Sequence, residues 1–434
     1  MLYELWRKVA TARCDEFALR DAASGRRWTF GELFAAGDGA PVSDPPRFDL
    51  SHEPRRGSAL PSKLAFPQGH SPEFILALLA AWRSGRIVCP LESGQSPPQI
   101  HDPPLPFVHL KSTSATTGAA RMAAFTAEQL AADAENIAAT MGLRSDWPNL
   151  GVISIAHSYG FSNLVLPLLL HGIPLILVPS PLPETVRRAA EGERALTLPA
   201  VPAMWRAWHE ANAIPPAVRL AISAGAPLPV ELEQAVFAGR GLKIHNFYGS
   251  TECGGIAYDT SETPRTDGAF AGEPMRKVEL SVNADGCLAV RSRAVAQSYW
   301  PAPAESLGAD LFQTGDLAEL ADGKVFLRGR VGDLINVAGR KVSPLVIEQK
   351  LARHPDLSAC LVFGAPGRDA ERNDLIVAAV VAKASVSGEA LRQFLLDKIP
   401  AWQIPRDWWF VDSLEANRVG KVSRAVWRKR YLER

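Results

Sequence analysis

The chain has 434 residues, too many for one small core, so about two or three folding units are expected. Hydrophobic residues make up 47% and charged residues 21%, which argues against disorder and provides a sizeable core. The 47 basic and 46 acidic side chains leave a formal net charge of +1, so the sequence has no electrostatic footprint for nucleic acid or for an anionic membrane.

Cysteine usage and the apolar stretches predict the compartment. The cysteines are odd in number, scattered and without metal-ligand spacing, which is typical of reduced thiols in a cytoplasmic protein: Cys14, Cys89, Cys253, Cys287 and Cys360. Residues 1–22 lack the apolar core of a signal peptide. The most apolar stretch, 163–179, is interrupted by prolines and a glycine, so we expect a buried helix and a buried strand there and no membrane span.

The first part of the chain predicts alternating strands and helices. The elements, in chain order, are a helical start, a strand at 27–30 leading into a helix, a proline-rich stretch to about residue 57, a strand at 64–66, a helix at 72–84, and strands at 87–90 and 107–110. Similar units recur through 150–180 and 194–250. Because short apolar strands alternate with amphipathic helices, we predict the α/β class, with a large layered amino-terminal domain.

The pattern changes after about residue 265. Short strands are predicted at 278–282, 287–292 and 317–327, the last with a hairpin turn, which indicates a β-rich subdomain over about 265–328. A new pattern then begins, with a helix at 343–353, strands at 358–364 and 375–382, and a helix at 387–398. We therefore predict a large domain over 1–329, a linker near 329–333, and a small α+β carboxy-terminal domain over 330–434.

The run 246–252, Asn-Phe-Tyr-Gly-Ser-Thr-Glu, carries the most specific chemistry. The aromatic face of Tyr248 can cover a purine, and the glycine after it lets the backbone approach a ligand closely. The Thr251 hydroxyl can donate to a phosphate oxygen, and the Glu252 carboxylate can hold Mg²⁺ through hard oxygen ligation. These groups predict a nucleotide site with a metal; a structural turn with a glutamate cap is the alternative.

A second polar segment, 111–118, follows the predicted strand 107–110 and reads Lys-Ser-Thr-Ser-Ala-Thr-Thr-Gly. Small hydroxyl residues closed by a glycine make a loop whose N–H groups and hydroxyls can wrap phosphates. A polar loop without a ligand is the alternative. The segment lacks the Gly-Lys-Ser/Thr ending of a Walker motif, so a P-loop NTPase is disfavoured.

Further polar groups punctuate the second half of the chain. Asp316 follows a Thr-Gly pair, where its carboxylate can accept from two ribose hydroxyls; a turn before a hairpin is the alternative. Arg330 is a fixed fork donor beside flexible residues, and 339–341 is a basic turn. Lys421 follows a glycine in the basic stretch 417–424, for which a solvated tail is the alternative.

In this order the segments resemble the adenylate-forming superfamily, which comprises acyl-CoA synthetases, aryl-acid ligases and the adenylation domains of peptide synthetases. The resemblance extends to Trp-Thr-Phe-Gly-Glu-Leu at 28–33, Ile-Ser-Ala-Gly-Ala-Pro-Leu at 222–228 and Ala-Gly-Glu-Pro at 271–274. It covers nearly the whole chain from about residue 28. It implies ATP- and Mg²⁺-dependent activation of a carboxylate to an acyl-adenylate, followed by transfer to a thiol of coenzyme A or of a carrier protein.

The resemblance also implies roles for individual residues. The nucleotide-binding residues would be Thr113, Ser114, Thr116, Thr117 and Gly118 at the phosphates, Ser223, Ala224, Gly225 and Asn246 at the base, Tyr248 and Gly249 on adenine, Thr251 at the α-phosphate, and Asp316 and Arg330 at the ribose. The acyl pocket would be formed by His157, Tyr159, Gly160, Phe161 and Gly225. Glu252 would be the metal ligand, and Lys421, His157 and Glu252 the catalytic residues.

The resemblance assigns the carboxy-terminal domain a moving part. Attack of a carboxylate on an α-phosphate brings two anions together, and the Lys421 ammonium would neutralise the charge that develops. Gly332 would be the hinge, and rotation there would move Lys421 out and bring the loop 335–344 in. His157 would lie at the mouth of the acyl pocket.

Two departures from the family pattern support an alternative function. The phosphate loop commonly ends with a lysine where this chain has Arg121, which keeps the charge without the compact ammonium geometry. The hinge is often Asp or Lys where this chain has Gly332. A nucleotide-binding pseudoenzyme or partner protein of the same fold is therefore the second hypothesis.

The acid and its acceptor are predicted by class alone. Amino-acid-activating members place an Asp in the segment that matches 159–162, and none is present, so a non-amino aryl or fatty acid is expected. The chain contains no recognisable carrier domain, so coenzyme A or a carrier protein would be supplied in trans. We predict no nucleic-acid partner and no membrane partner.

Overall fold

The computed structural model describes residues 1–39, 63–104, 106–113, 121–337, 339–367, 374–383, 385–415 and 422–434. Most of the predicted proline-rich stretch lies outside these ranges, as do Ser114, Thr116, Thr117, Gly118 and Lys421. A large amino-terminal part and a small carboxy-terminal part each have their own hydrophobic core. The predicted α/β class with a large and a small part is confirmed; the boundary between residues 329 and 330 stays a prediction.

The large part contains the helices α1 (Leu2–Ala12), α2 (Phe30–Gly37), α3 (Pro72–Arg83), α4 (Ala127–Met141), α5 (Ser158–Gly160), α6 (Leu166–His171), α7 (Pro183–Ala189), α8 (Pro202–Glu210) and α9 (Val230–Arg240). A π-helical segment, Phe161–Val165, joins α5 to α6. Helices α2 and α4 begin with capping boxes built on Thr29 and Thr126, whose side chains accept the N–H of the third helical residue. These caps fix where both helices start.

The strands of the large part alternate with these helices. They are β1 (Phe17–Asp21), β2 (Arg27–Thr29), β3 (Leu64–Ala65), β4 (Ile87–Val88), β5 (His109–Ser112), β6 (Met122–Phe125), β7 (Asn149–Gly151), β8 (Leu175–Leu177), β9 (Leu196–Ala200), β10 (Val218–Ser223), β11 (Ile244–Ser250), β12 (Gly254–Tyr258), β13 (Phe270–Pro274), β14 (Glu279–Val282), β15 (Cys287–Arg291), β16 (Ser298–Trp300), β17 (Leu307–Gly308), β18 (Leu311–Ala321) and β19 (Lys324–Arg330).

One long sheet runs in the order β14-β15-β18-β19-β13-β12-β11-β10-β9-β7-β8-β1-β2. Strands β11, β10 and β9 are mutually parallel, and β7 is parallel to both β9 and β8. From β11 to β14 the neighbours are antiparallel, beginning with the β11–β12 hairpin. The strands of the predicted β-rich region thus continue the central sheet, and the subdomain boundary near residue 265 stays a prediction.

A second sheet, in the order β16-β6-β5-β4-β3, lies beside the first. Strands β5 and β6 form an antiparallel pair with Ser112 opposite Met122, so the predicted phosphate loop connects their ends. Strand β5 also packs onto the π-helical segment, where the rings of His109 and Phe161 have centroids 4.3 Å apart. Strand β5 is therefore held against the helical segment that follows α5.

The small part forms its own layered unit. It contains β20 (Ile335–Val337), β21 (Arg340–Val342), α10 (Pro344–Leu351), β22 (Leu357–Pro366), β23 (Asp374–Ala382), α11 (Gly388–Leu396), β24 (Asp407–Phe410) and α12 (Arg424–Leu432). Strands β22 and β23 form an antiparallel hairpin, and β24 adds to β23 in parallel. The predicted helix–strand–strand–helix order at 343–398 is confirmed.

Several boundaries differ from the sequence predictions for physical reasons. The strand predicted at 107–110 is observed two residues later, because Lys111 and Ser112 pair with Ala123 and Met122 although both side chains are polar. Strands β1, β12 and β24 were not predicted, and β12 begins with two glycines, which are depleted in strands. The buried helix and strand expected within 163–179 are confirmed as α6 and β8. Within the described ranges, every helix is too short or too polar to cross a bilayer.

The buried His109 makes stability depend on acid pH. Neither ring nitrogen has a hydrogen-bond partner among the described residues, and burial, then the charge of Lys111, lowers the pKa of His109 well below its ordinary 6.5. The unfolded chain therefore binds this proton first as the pH falls. The contribution of His109 to the free energy of unfolding is therefore fully present above about pH 6.5 and decreases as the pH falls below that value. Between about pH 7.5 and about pH 5.5 the free energy of unfolding, measured by urea denaturation, should fall by about 1 kcal/mol less in His109→Leu than in the unchanged protein.

The exposed His101 provides the control for this measurement. His101→Leu should follow the acid dependence of the unchanged protein, because this exposed substitution leaves the burial of His109 unaltered. The same acid loss in all three proteins would contradict the role given to His109. The other histidines whose pKa is lowered by burial contribute with the same sign and cancel from the comparison: His70, His171 and His245.

Candidate active site

The carboxyl ends of the parallel strands meet at one edge of the long sheet. Strands β11, β10, β9 and β7 run in the same direction, so the chain leaves each of them at this edge. Ligands of open α/β sheets bind outside the carboxyl ends of the strands. The runs 157–161, 223–225 and 246–252, which carry most of the predicted site residues, all follow or end these strands. The structure therefore brings these three runs to the same edge.

Tyr248, Asp316 and Arg330 are joined by hydrogen bonds. Asp316 and Arg330 lie directly opposite each other on β18 and β19. The Nε of Arg330 donates to one oxygen of Asp316 at 2.6 Å, and the hydroxyl of Tyr248 donates to the other at 2.6 Å. Burial, together with the Asp316 carboxylate, raises the pKa of Tyr248 well above its ordinary value. The phenol therefore stays protonated and orients the carboxylate.

Thr251 and Glu252 form the tip of the β11–β12 hairpin. The hydroxyl oxygens of Thr251 and Ser158 are 3.2 Å apart, so the tip lies against the start of α5. The Glu252 carboxylate accepts a hydrogen bond from the Tyr299 hydroxyl at 3.0 Å. Burial and the charge of Glu252 raise the pKa of Tyr299, which keeps the phenol a donor. The carboxylate of Glu252 is thus held in one orientation by β16.

Thr113 and Arg121 lie at the base of the predicted phosphate loop. The N–H and the hydroxyl of Thr113 both donate to the carbonyl oxygen of Arg121, at 3.0 and 2.8 Å. The guanidinium carbon of Arg121 lies 5.8 Å from the centroid of the Tyr299 ring, within the range of a cation–π contact. The base of the loop is therefore next to the tyrosine that orients Glu252. The roles of Ser114 to Gly118 stay predictions.

Two glycines, Gly249 and Gly254, permit close contacts at the hairpin tip that a side chain would block. A Cβ at Gly249 would lie 2.6 Å from the carbonyl oxygen of Gly254. Gly254 has a φ of +67°, and a Cβ there would lie 1.9 Å from an oxygen of Asp133. The N–H of Gly255 donates to the same oxygen at 3.3 Å. The hairpin is therefore seated directly on the buried carboxylate of Asp133 in α4.

His157 and Tyr159 lie at the start of α5. The Nδ1 of His157 accepts the N–H of Tyr159 at 3.3 Å, as an N-cap does. The Tyr159 hydroxyl donates to the carbonyl oxygen of Ala200 at the end of β9, at 3.4 Å. Its ring centroid lies 6.0 Å from that of Phe247 on β11. The ring of Tyr159 therefore spans the carboxyl ends of two parallel strands.

Gly160 and Phe161 follow on the inner side of the same helix. A Cβ at Gly160 would lie 2.0 Å from the carbonyl oxygen of Ser154, so only glycine fits at this position. Phe161 is 1% exposed and packs against His109 in the hydrophobic core. Participation of Gly160 and Phe161 in an acyl pocket stays a prediction.

The end of β10 contributes small residues to the edge. Ser223 is fully buried, and its hydroxyl has no hydrogen-bond partner among the described residues. Ala224 is buried, and Gly225 has a φ of +86°. The side-chain amide of Asn246 donates to the carbonyl oxygen of Ala271 at 3.0 Å, which holds it against β13. The binding roles predicted for these four residues stay predictions.

Gly332 lies in a 3₁₀ turn between β19 and β20. The next residue, Asp333, forms an ion pair with Arg424 at 2.9 Å, and Arg424 also binds Glu348 of α10 at 2.5 Å. Burial raises the pKa of Glu348, and Arg424 opposes that rise. The start of α12 is thereby attached to the residue after the predicted hinge. Lys421 lies outside the described residues, so its role and that of Gly332 stay predictions.

Two family models match the chain. The model described as AMP-binding enzyme matches residues 110–300, and the model of the AMP-binding enzyme C-terminal domain matches residues 346–421. The chain belongs to the adenylate-forming superfamily. The first match begins on β5 and ends on β16, so it contains the phosphate loop and the β11–β12 hairpin. The predicted resemblance is confirmed.

Relatives within the superfamily are distant in sequence. A long-chain-fatty-acid–CoA ligase of Mycobacterium tuberculosis is 26% identical over 338 residues, which cover 74% of this chain and 66% of that protein. A fatty acid–[acyl-carrier-protein] ligase of Streptomyces coeruleorubidus is 32% identical over 236 residues, 49% of this chain and 45% of that protein. The matched parts thus span less than two thirds of either relative. ATP-bound MatB from Rhodopseudomonas palustris has the same fold, with a TM-score of 0.84 over 99% of both chains at 21% identity.

Sequence reasoning missed several residues that the fold brings to the site of this superfamily member. Tyr299 contacts Glu252, and Ser158 contacts Thr251. Both pairs are far apart in sequence, so no local pattern predicts either contact. Asp133 could have been found, because it occupies a buried helical position three residues after Leu130 in α4. Lys111 interrupts an apolar strand, which was the other available signal.

A substitution at Gly254 tests the seat of the hairpin. Gly254→Ala should lower the free energy of unfolding by at least about 2 kcal/mol, because the methyl group would overlap the Asp133 carboxylate and the backbone has a left-handed φ. Urea denaturation measures this loss. Gly239→Ala is the matched control, since Gly239 lies in α9 with open space around it. Equal stability of both variants would contradict the packing of the hairpin on Asp133.

Proposed function

We propose that the protein uses ATP to activate a non-amino carboxylic acid, aryl or fatty, as an acyl-adenylate and then transfers the acyl group to a thiol. The thiol would belong to coenzyme A or to the phosphopantetheine arm of a carrier protein supplied in trans. One observation carries the proposal: the tip of the β11–β12 hairpin lies against α5 through Ser158 and next to the base of the phosphate loop through Tyr299.

The groups on one side of the hairpin support nucleotide binding. The Asp316 carboxylate is held between Tyr248 and Arg330. Because a carboxylate has about four acceptor positions, Asp316 keeps capacity for the hydroxyls of a ribose. The ring of Tyr248 would cover adenine, with Gly249, the run 223–225 and Asn246 around the base. Thr251 at the hairpin tip would contact the α-phosphate.

The first half-reaction would join the acid to AMP. A carboxylate oxygen of the acid attacks the α-phosphorus; the new oxygen–phosphorus bond forms as the bond to pyrophosphate breaks, and its electron pair leaves with pyrophosphate. Charge builds up on the non-bridging oxygens, where donors and cations stabilise the transition state. We assign this role to the ammonium of Lys421. Thr113 and Arg121 lie at the base of the loop that would hold the leaving phosphates.

The residues present fit a magnesium ion that is shared with ATP. Among the described residues there is no group of three or more His, Cys, Asp or Glu side chains that could hold a metal by themselves. Mg²⁺ is usually bound by one or two carboxylates together with substrate phosphates and waters. A single carboxylate oriented by Tyr299 meets that requirement, so Glu252 would hold the ion. The ion would supply positive charge at the phosphates.

The other side of the hairpin supports an apolar or aromatic acid. Tyr159 and Phe247 form an aromatic pair at the carboxyl ends of β9 and β11. The segment 159–162 has no carboxylate that would pair with an α-amino group. An acid with an aryl or aliphatic body would be held there, with its carboxylate toward Thr251 and His157 at the mouth of the pocket.

The second half-reaction would transfer the acyl group. The thiol sulfur attacks the carbonyl carbon; the sulfur–carbon bond forms, the bond to the AMP oxygen breaks, and the thiol proton passes to solvent. Relatives named as ligases of coenzyme A and of acyl-carrier protein support a thiol acceptor of either kind. Rotation of the domain 330–434 about Gly332 would move Lys421 away and bring the loop 335–344 to the site.

Pyrophosphate exchange tests the proposed activity. With ATP, Mg²⁺ and a panel of aryl and fatty acids, we expect acid-dependent exchange for at least one acid. Lys421→Ala should lower the exchange rate by at least about 100-fold, because the charge that develops at the α-phosphate would lose its cation. ATP affinity, measured by calorimetry, should change much less.

The same panel separates the two hypotheses. The ligase hypothesis would be excluded if pyrophosphate exchange stayed at background with every acid and could not be distinguished from that of Lys421→Ala. ATP binding without acid-dependent adenylate formation would then support a nucleotide-binding pseudoenzyme, for which Arg121 in place of the usual lysine is the specific observation. Coenzyme A and a phosphopantetheinylated carrier protein, offered separately to the adenylate, identify the acceptor.

Tyr299→Phe tests how the metal ligand is oriented. Without the phenol, the Glu252 carboxylate loses the donor that fixes its geometry. We expect the Mg²⁺ concentration for half-maximal ATP binding, followed by calorimetry, to rise on the order of tenfold.

Tyr3→Phe is the matched control for this titration. Tyr3 also donates to a carboxylate, that of Asp38 at 2.9 Å, but on α1 and in an exposed position. Its loss should leave the Mg²⁺ dependence unchanged. An unchanged Mg²⁺ dependence in Tyr299→Phe would show that Glu252 needs no orientation by the phenol.

A further inference from the structure

A buried ion pair lies beneath the candidate site. The Nζ of Lys111 is 3.6 Å from a carboxylate oxygen of Asp133, and the two side chains are 3% and 1% exposed. The Ser162 hydroxyl connects them, because it accepts from Lys111 at 2.9 Å and donates to Asp133 at 2.6 Å. The Phe125 ring lies over the ammonium at 4.7 Å. The Lys111 ammonium thus makes one hydrogen bond, to Ser162, and one ion pair, with Asp133, beneath the Phe125 ring.

Each member of this pair belongs to, or holds, a different segment of the site. Lys111 is two residues before Thr113, at the start of the phosphate loop. Ser162 follows the run 157–161 in the same helical stretch. Asp133 accepts the N–H of Gly255 on β12, just after the hairpin tip that carries Thr251 and Glu252. Three segments distant in sequence therefore meet on one carboxylate.

The physics of buried charges makes this meeting sensitive to either partner. A buried ion pair is weak evidence for stability, because well-packed neutral groups often replace it without loss. Removal of one partner is costly, since the other charge is left uncompensated. Burial lowers the pKa of Lys111, and the Asp133 carboxylate opposes that change. Without Lys111, the Asp133 charge would be unpaired at the point where Gly254 has no room to move.

We propose that Lys111 is a positioning residue for the nucleotide site. It keeps the Asp133 carboxylate in place, and Asp133 in turn fixes the phosphate-loop base, the Glu252 hairpin and the helix that begins at Ser158 relative to one another. Lys111 is buried beneath the site and would not touch the substrate. This role rests on the proposed function, because it concerns the alignment of groups that would bind ATP and the acid.

The experiment compares Lys111→Met with the double variant Lys111→Met/Asp133→Asn. Dissociation constants for Mg²⁺–ATP are measured by calorimetry, and the KM for ATP and kcat by pyrophosphate exchange, each per folded molecule. We expect Lys111→Met to raise the dissociation constant and the KM for ATP by about tenfold or more, because small misplacements of binding groups are costly. The double variant should return within about threefold of the unchanged protein, since an amide at position 133 can bond both Gly255 and Ser162 without a charge.

A matched control comes from another buried lysine. Lys243 is 7% exposed and pairs with Glu233 and with Asp259, the latter at 2.6 Å, at the open end of the β11–β12 hairpin, away from its tip. Lys243→Met should destabilise the fold and leave the ATP constants of the folded molecules unchanged. Ser162→Ala, which removes one hydroxyl and no charge, provides a milder variant if Lys111→Met does not fold. Ser162→Ala should raise the dissociation constant for ATP by about threefold.

The outcomes separate the role of Lys111 from the proposed function. Unchanged ATP constants in Lys111→Met, or in Ser162→Ala if the former does not fold, would overturn the positioning role. Equal changes in Lys243→Met would also overturn it, because the effect would then follow stability alone. If the unchanged protein binds ATP but supports no exchange with any acid, the ligase proposal fails while the dissociation constants still test Lys111. No ATP binding by the unchanged protein would overturn both.

Discussion

The Asp133 carboxylate is the constraint on which the site geometry depends. A long α/β sheet brings loops to one edge, but the edge alone does not align loops that come from different sheets. Asp133 accepts from the hairpin backbone and from Ser162, and it pairs with Lys111 on the second sheet. Because Gly254 fits against this carboxylate without a side chain, the contact leaves the hairpin one position. Alignment of the site is therefore a property of the core.

In this nearly neutral chain, the charged groups that matter for the candidate site are individual side chains at the sheet edge. A formal net charge of +1 provides little long-range attraction for an anion, so the proposed binding would depend on single groups placed at the edge. Two phenols serve this purpose, since Tyr248 orients Asp316 and Tyr299 orients Glu252. In each pair burial raises the tyrosine pKa, and the phenol remains a donor at neutral pH. Both carboxylates therefore present a fixed geometry to any ligand that approaches.

The sequence predicted the parts of the fold that local chemistry decides. Alternating apolar segments predicted the layered α/β class, and the family motifs identified most residues that the sheet edge brings together. The contacts of Tyr299 with Glu252 and of Ser158 with Thr251 were not predictable, because they join residues far apart along the chain. Strand β12 was missed because Gly254 and Gly255 disfavour a strand locally. Close packing on Asp133 requires the first glycine, and close packing on Met275 requires the second. For Phe161 the family motif predicted a position in the acyl pocket, and the structure shows that its side chain is buried in the hydrophobic core.

The ion pairs of Arg424 have a consequence for the construction of chimaeras. Asp333, Glu348 and Arg424 all lie on the carboxy-terminal side of Gly332, so a junction between residues 332 and 333 keeps their mutual contacts in one fragment. The hydrogen bond from Ser343 to the carbonyl oxygen of Arg328, at 2.6 Å, spans that junction and has to form again with each new partner. Since its acceptor is a backbone oxygen, the amino-terminal fragment needs the right strand geometry there and no particular side chain. A chimaera joined at this peptide bond also has to restore the hydrogen bond from Arg353 to the carbonyl oxygen of Thr266, at 3.4 Å.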